Sequence, residues 1–272
     1  MFDPKLGVSL QTVSATLTDE LYATLDGSGI ATVEIAAAYF GCACDEAQKA
    51  PLLEALRRNN IRVASVHALF GGAYDFSCMD DGMHQQAVAT ALSAVDLVVE
   101  LDASLIILHA SAEPLEPRER GTRLEQARRG LLKIGDRCRR AKKQVAVEVL
   151  PRTCLGNTVD ELLDLLEPLD PNVFGVCLDM NHLMDRHQTL PAEIRRLGDR
   201  LIATHLSDYD GIDEKHWLPG EGVVDWQGVM AALAEVNYSG PFNYEAKLPG
   251  ETPVERVVAL RGNFAWLAAF AR

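Results

Sequence analysis

Three runs decide the fold: QVAVEV at 144–149, VFGVCLD at 173–179 and LIATH at 201–205. Each is short, β-branched and almost continuously apolar, and each carries one polar residue at or near its end: Glu148, Asp179 and His205. Alternating polarity would indicate a sheet with one wet face. Unbroken apolarity indicates strands covered on both faces, as parallel strands under helices are. Working outward, the same signature recurs in KLGVSL (5–10), TVEIA (32–36), IRVASVH (61–67), SLIILH (104–109) and FNYEA (242–246). These eight runs begin about 34 residues apart on average, the length of one strand–loop–helix–loop unit.

Helical patterns fill the intervals. The segments 45–60, 80–101, 118–143, 191–197, 225–236 and 252–270 space their apolar residues by three and four. Asn157-Thr158 precedes Val159, Leu162, Leu163 and Leu166 with acids in the first turn, a helix start. Eight βα units without a Pro/Gly/Ser-rich linker predict an α/β chain folded as a single (β/α)8 TIM barrel over residues 1–272. A doubly wound open sheet fits the alternation too, but the count of eight and the lack of a G-x-G-x-x-G favour the barrel. The C-terminal helical segment, with Phe264, Trp266, Leu267 and Phe270, is expected to close it.

Composition narrows the function classes. The chain has 272 residues, of which 48% are hydrophobic and 24% charged, ordinary globular usage. With 26 Lys plus Arg against 39 Asp plus Glu, the net charge is −13. That balance disfavours a partner bound mainly through phosphate charge, so no nucleic acid is expected. No run approaches a membrane span, and Met1-Phe2-Asp3-Pro4 has neither a basic start nor an apolar stretch of a signal peptide. Cys42, Cys44, Cys78, Cys138, Cys154 and Cys177 form no C-x-x-C pair and read as reduced thiols of a cytoplasmic protein, with Cys177 in the core. Walker A and G-x-S-x-G motifs are missing.

The chemistry lies at the strand ends. His67, His109, Glu148, Asp179, His205 and Glu245 close the third to eighth runs, and Glu34 sits in the second. A lone histidine at a strand end is most simply a hydrogen-bonded structural residue. In a barrel, however, all six converge on the C-terminal face. Several carboxylates in one small volume cannot all stay ionised without a cation, and a divalent metal resolves that conflict. Glu148, Asp179, His205 and Glu245 form a hard, oxygen-rich ligand set that suits Mn²⁺ foremost, with Mg²⁺, Co²⁺ or Zn²⁺ as alternatives. His182, one turn past Asp179, together with Glu214 and His216, offers an additional metal position. His84 and His187 read as ordinary surface residues. The longest loops, 68–80, 110–118 and 206–225, fall above these strand ends.

The stretches VEVLP, GVCLDMNH, ATHLSD and NYEA, followed by HWLPGEGVVDW, resemble the xylose isomerase-like TIM-barrel superfamily. Its members include ketose 3-epimerases, hydroxypyruvate isomerase, inosose isomerases and dehydratases, and endonuclease IV. The resemblance runs from the first strand to the eighth, and Asp179-x-x-His182 and Pro219–Gly222 are its most specific pieces. It implies that Glu148, Asp179, His205 and Glu245 bind the metal and that Glu148 and Glu245 are the catalytic acid/base pair. It further implies that His182 contacts a substrate hydroxyl. His67, His109 and His216 would be further substrate contacts, with Phe70 and Trp217 packing over a sugar ring. The implied reaction is epimerisation or isomerisation of a ketose or related keto-sugar or keto-polyol through a metal-stabilised ene-diolate. The substrate would be a small carbohydrate. Relatives are often dimers or tetramers, which leaves a homo-oligomer open.

Three alternatives stand beside this reading. A lyase or dehydratase would use the same first step with a leaving group β to the carbanion. An endonuclease IV-like zinc phosphodiesterase would use His67, His109, Glu148, Asp179, His182, His205, Glu214, His216 and Glu245. Against the nuclease, loop 68–80 lacks Lys and Arg, and loop 206–225 sets its single Lys215 among several acids. A non-catalytic sugar-binding barrel has no need of such costly residues in a pocket. Ketose 3-epimerases place an arginine six residues after the seventh-strand histidine; this chain has Gly211 there.

Overall fold

The computed structural model describes residues 2–41 and 46–271. Eight strands, β1 (Leu6–Ser9), β2 (Thr32–Ala36), β3 (Arg62–His67), β4 (Leu105–Leu108), β5 (Gln144–Glu148), β6 (Phe174–Asp179), β7 (Leu201–Leu206) and β8 (Phe242–Tyr244), form a closed barrel in sequential order. Every neighbouring pair is parallel, including β1 with β8. The fold is therefore the single (β/α)8 TIM barrel expected from the alternation. No described helix is long and apolar enough to cross a membrane.

The helices are α1 (Leu10–Val13), α2 (Asp19–Thr24), α3 (Glu46–Arg58), α4 (Asp81–Glu100), α5 (Arg120–Ala141), α6 (Val159–Leu166), α7 (Leu190–Leu197), α8 (Trp226–Glu235) and α9 (Pro253–Ala268). Their starts have chemical causes. Thr18, Asp80, Thr158, Asp225 and Thr252 each accept a first-turn backbone N–H, and Thr252 with Glu255 forms a reciprocal capping box. The sequence reading missed α1 and α2, which at four and six residues are too short to show a period. α9 packs on the barrel through buried Val257, Leu260 and Leu267 and through Phe264, which meets Phe242 edge-on at 6.2 Å, but Trp266 and Phe270, expected to help close it, are exposed.

Two apolar layers result. The larger lies between strands and helices, where α5 comes so close to β6 that a Cβ at Gly135 would sit 2.1 Å from Phe174 Cζ. The smaller fills the barrel axis with Leu105, Ile107, Ala146, Cys177 and Ala203. This plug fills the interior below the strand ends, and the polar side chains above it gather on the C-terminal face. The register places Asp179 beside His205 and Ala36 beside His67 at that level.

Some surface expectations need correction. His84 is buried, with its Nδ1 2.7 Å from the Phe76 carbonyl oxygen. His187 is half-buried, its ring 5.7 Å from that of Tyr209. Cys138, Cys154 and Cys177 are buried free thiols and Cys78 is half-buried and free; Cys42 and Cys44 lie outside the described residues.

Candidate metal centre

Glu148 is the hub of the site. It ends β5, is 1% exposed, and meets four imidazoles. Its Oε2 lies 3.3 Å from His67 Nε2 and 3.1 Å from His109 Nε2. Its Oε1 lies 3.3 Å from both His182 Nδ1 and His205 Nδ1. The last contact joins the hub to the other expected ligands: His205 Nδ1 is 2.8 Å from Glu245 Oε2 and 4.0 Å from Asp179 Oδ2. Glu245 follows β8, with its side chain about a quarter exposed at 26%, which places it at the open side of the cluster.

A second group adjoins the first through Asp179. His182 Nε2 is 3.7 Å and His216 Nδ1 4.0 Å from Asp179 Oδ2. Glu214 Oε1 then bridges the two rings, 3.0 Å from His216 Nε2 and 3.6 Å from His182 Nε2. Among the described residues, four sets of donor atoms lie mutually within 4.8 Å: Glu148/Asp179/His205/Glu245, His67/His109/Glu148, Asp179/His182/His216 and His67/His205/Glu245. The structure thus brings together all the expected polar site residues. Phe70 is 59% exposed and stacks on His109 with ring centres 4.6 Å apart, covering the His67/His109 side. Trp217 is fastened through its backbone to Asp208, with its indole partly exposed.

The donor set passes a physical test for a hard cation. Glu148 Oε2 and Asp179 Oδ2 are buried and have no hydrogen-bond partner. Glu148 Oε2 has imidazole nitrogens within range, but off the direction a hydrogen bond needs. Buried anionic oxygens without donors are costly, and a divalent ion ringed by carboxylates and one imidazole relieves them.

The side chains of the cluster divide their charge unevenly. Burial favours the neutral acid, yet the surrounding imidazoles, His205 and His109 foremost, hold Glu148 well below the carboxylate range. At Asp179 burial wins and the pKa rises. Burial opposes charge on His67 and His216 as well. Even so, Glu148 with Glu34 raises His67 to about 9, and Glu214 with Asp179 raises His216 to about 9. His109 goes the other way, because burial outweighs its attraction to Glu148. Burial also works against Glu245, but the nearby His205 brings it down to about 2.

The sequence reading missed several residues that build this site. Asn181, between Asp179 and His182, is fully buried, and with its amide turned so that oxygen faces donors it accepts from the backbone N–H groups of Lys215 and His216. Asp208 is also fully buried. It accepts from the N–H groups of Tyr209, Gly220 and Val224 and from Trp226 Nε1, all at 2.7–3.0 Å. This shapes the Pro219–Gly222 turn, where a Cβ at Gly222 would lie 2.1 Å from the Tyr209 carbonyl oxygen. Arg152 ties the loops after β4, β5 and β7 together through Glu113, Asp213 and Glu214.

The comparisons agree with this architecture. The family described as the xylose isomerase-like TIM barrel matches residues 25–269. The uncharacterized protein y4fM of Sinorhizobium fredii is 28% identical over 193 residues, 70% of this chain and 60% of y4fM, so the match spans less than two thirds of that relative. The L-ribulose-5-phosphate 3-epimerase UlaE of Salmonella paratyphi C is 23% identical over 215 residues, 79% of this chain and 75% of UlaE. The crystal structure of a D-tagatose 3-epimerase-like protein superposes with a TM-score of 0.84 at 21% identity, covering 98% of each chain. This chain belongs to the xylose isomerase-like TIM-barrel family.

Proposed function

We propose that the protein is a divalent-metal-dependent epimerase or isomerase of a ketose or related keto-sugar. The observation that carries this is the pair of carboxylates on one imidazole: Glu148 Oε1 at 3.3 Å and Glu245 Oε2 at 2.8 Å from His205 Nδ1. Glu148, Asp179, His205 and Glu245 would hold the ion, with Mn²⁺ the preferred occupant of so oxygen-rich a set. A bound divalent cation supplies Lewis acidity toward a carbonyl oxygen. One of Glu148 and Glu245 takes the proton from the carbon beside that carbonyl, and the other returns a proton, to the opposite face for epimerisation or to the neighbouring carbon for isomerisation. His67, His109, His182 and His216 would bind hydroxyls around the reacting carbons, and Phe70 and Trp217 would cover the ring. The epimerase name of UlaE supports a carbohydrate substrate.

One observation favours a second reading, a phosphodiesterase: the sets His67/His109/Glu148 and Asp179/His182/His216, with Glu214, converge as well. The mouth opposes it, because Arg152 is already neutralised by three acids. A single experiment decides. The bound metal is identified, and the loaded protein is incubated in D₂O with ketoses, keto-inositols and 3-keto-glycosides. Deuterium uptake beside a carbonyl supports the proposal, and an unsaturated product redirects it to elimination. Cleavage of an abasic-site duplex with no exchange in any sugar refutes it.

A further inference from the structure

One buried acid in the barrel has no part in the ligand set. Glu34, on β2, is 1% exposed and belongs to none of the donor groups that converge on the site among the described residues. It stands near an interior otherwise filled by Leu105, Ile107, Ala146, Cys177 and Ala203. A carboxylate there is expensive to desolvate. Its contacts are specific: Ser65 Oγ donates to Oε2 at 2.7 Å, and the same oxygen lies 3.2 Å from His205 Nε2.

A carboxylate only accepts hydrogen bonds, so this contact requires the proton on Nε2. The ring is thereby fixed in one tautomer and one orientation. Its other nitrogen, Nδ1, points at Glu148, Asp179 and Glu245 and is the one left to give up its proton and offer a lone pair when a cation binds. Histidine ligands gain basicity and a fixed direction when their second nitrogen donates to a carboxylate. We infer that Glu34 is a positioning residue for the metal centre, acting through His205 and itself held by Ser65. The inference rests on the metal reading above. Without Glu34, the imidazole distributes between tautomers and ring orientations, and only one of these combinations offers Nδ1 to the ligand set.

The test uses the full chain, stripped with a chelator and titrated with Mn²⁺ by calorimetry. Glu34→Ala is expected to keep its far-ultraviolet dichroism and to bind Mn²⁺ about 10- to 100-fold more weakly. Ser65→Ala, which leaves the carboxylate but removes its support, is expected to lose about two- to tenfold and serves as the readout if Glu34→Ala does not fold. In Zn²⁺-loaded wild type, nitrogen-15 correlation spectra should show His205 bound through Nδ1 and protonated on Nε2. An Mn²⁺ affinity within twofold of wild type in the folded Glu34→Ala variant, or in Ser65→Ala where that one does not fold, overturns the inference, as does Nε2 ligation in the spectrum. A wild type that takes up no divalent ion overturns the metal reading itself, a different result from an intact site indifferent to Glu34.

Discussion

His205 holds its Nδ1 2.8 Å from Glu245 Oε2, and with no cation bound this is an ion pair between a buried imidazolium and a carboxylate. Burial resists the charge on His205, but the surrounding acids push its pKa well above the ordinary histidine range, while Glu245 falls to about 2. A metal ligand must present a free lone pair, so loading the site has to expel the His205 proton. Calorimetric titration of the chelator-treated protein with Mn²⁺ near pH 7 is therefore expected to release about one proton or more. The apparent enthalpy should change between buffers of different ionisation heat. Equal enthalpies in such buffers would contradict the protonated imidazole.

The same charges set how stability without metal depends on pH. His67 and His216 are raised to about 9 from an ordinary value near 6.5. Their contribution is complete below about 6.5 and is lost as pH climbs to about 9. Glu245 is lowered to about 2, so its contribution holds above about 4.3 and is lost as pH falls toward 2. Urea midpoints of the chelator-treated protein should be highest between these windows and decline toward pH 9. The Mn²⁺-loaded protein should show a weaker alkaline decline, because a cation among Glu148, Asp179, His205 and Glu245 offsets the acids that raise His67 and His216. Parallel profiles in the two forms would refute the assignment.

Glu148 touches four imidazoles and is also one of the two proposed proton-transfer groups. Glu148→Gln keeps the volume and removes the base. Turnover should fall by about 10²–10⁴-fold, while circular dichroism continues to report a folded barrel. Activity near wild type would take Glu148 out of the chemistry.

The barrel was legible from its recurring apolar runs, and the polar cluster at its mouth from the residues that interrupt runs packing otherwise requires to be apolar. Glu148, Asp179 and His205 stand out because a buried parallel strand has no other use for charge at its end. What escaped notice is held by tertiary contacts. Asp208 and Asn181 look like ordinary loop residues until backbone N–H groups of the loop after β7 close on them. Arg152 gains its meaning only when Glu113 and Asp213 arrive from two other loops. His84 has the helical spacing of a surface position, yet the Phe76 carbonyl gives its ring a buried partner. Glu34 was visible as a polar residue in a strand, but its role depends on β7 lying across the barrel.

Phe70 offers a cleaner separation of binding from folding. Its ring is 59% exposed and stacked on His109, so removing it leaves little cavity and changes stability by less than about 1 kcal/mol. If it covers the substrate ring, Phe70→Ala should raise KM about two- to tenfold with a smaller change in kcat. A KM equal to wild type on an active substrate would leave the ring without that role.

The converse separation comes from Arg123, which is far from proton transfer but holds the loops around the site. Its guanidinium is buried and pairs with Asp75, while Nε and Nη2 donate to Ser77 Oγ at 3.1 and 3.0 Å. Asp75 in turn accepts from Ser77 N, Ser77 Oγ and, across to the loop after β4, Ala112 N at 3.0 Å. The pair therefore fastens α5 to the loops above β3 and β4, which frame His67, Phe70 and His109. Arg123→Ala leaves Asp75 charged, buried and short of its main counter-ion, so the loss should be about 3–5 kcal/mol in urea unfolding. Arg123→Ala combined with Asp75→Asn should recover part of it, since the stranded charge is then gone. A single variant that loses less than about 1 kcal/mol would show that the loops above β3 and β4 are held by packing rather than by this pair.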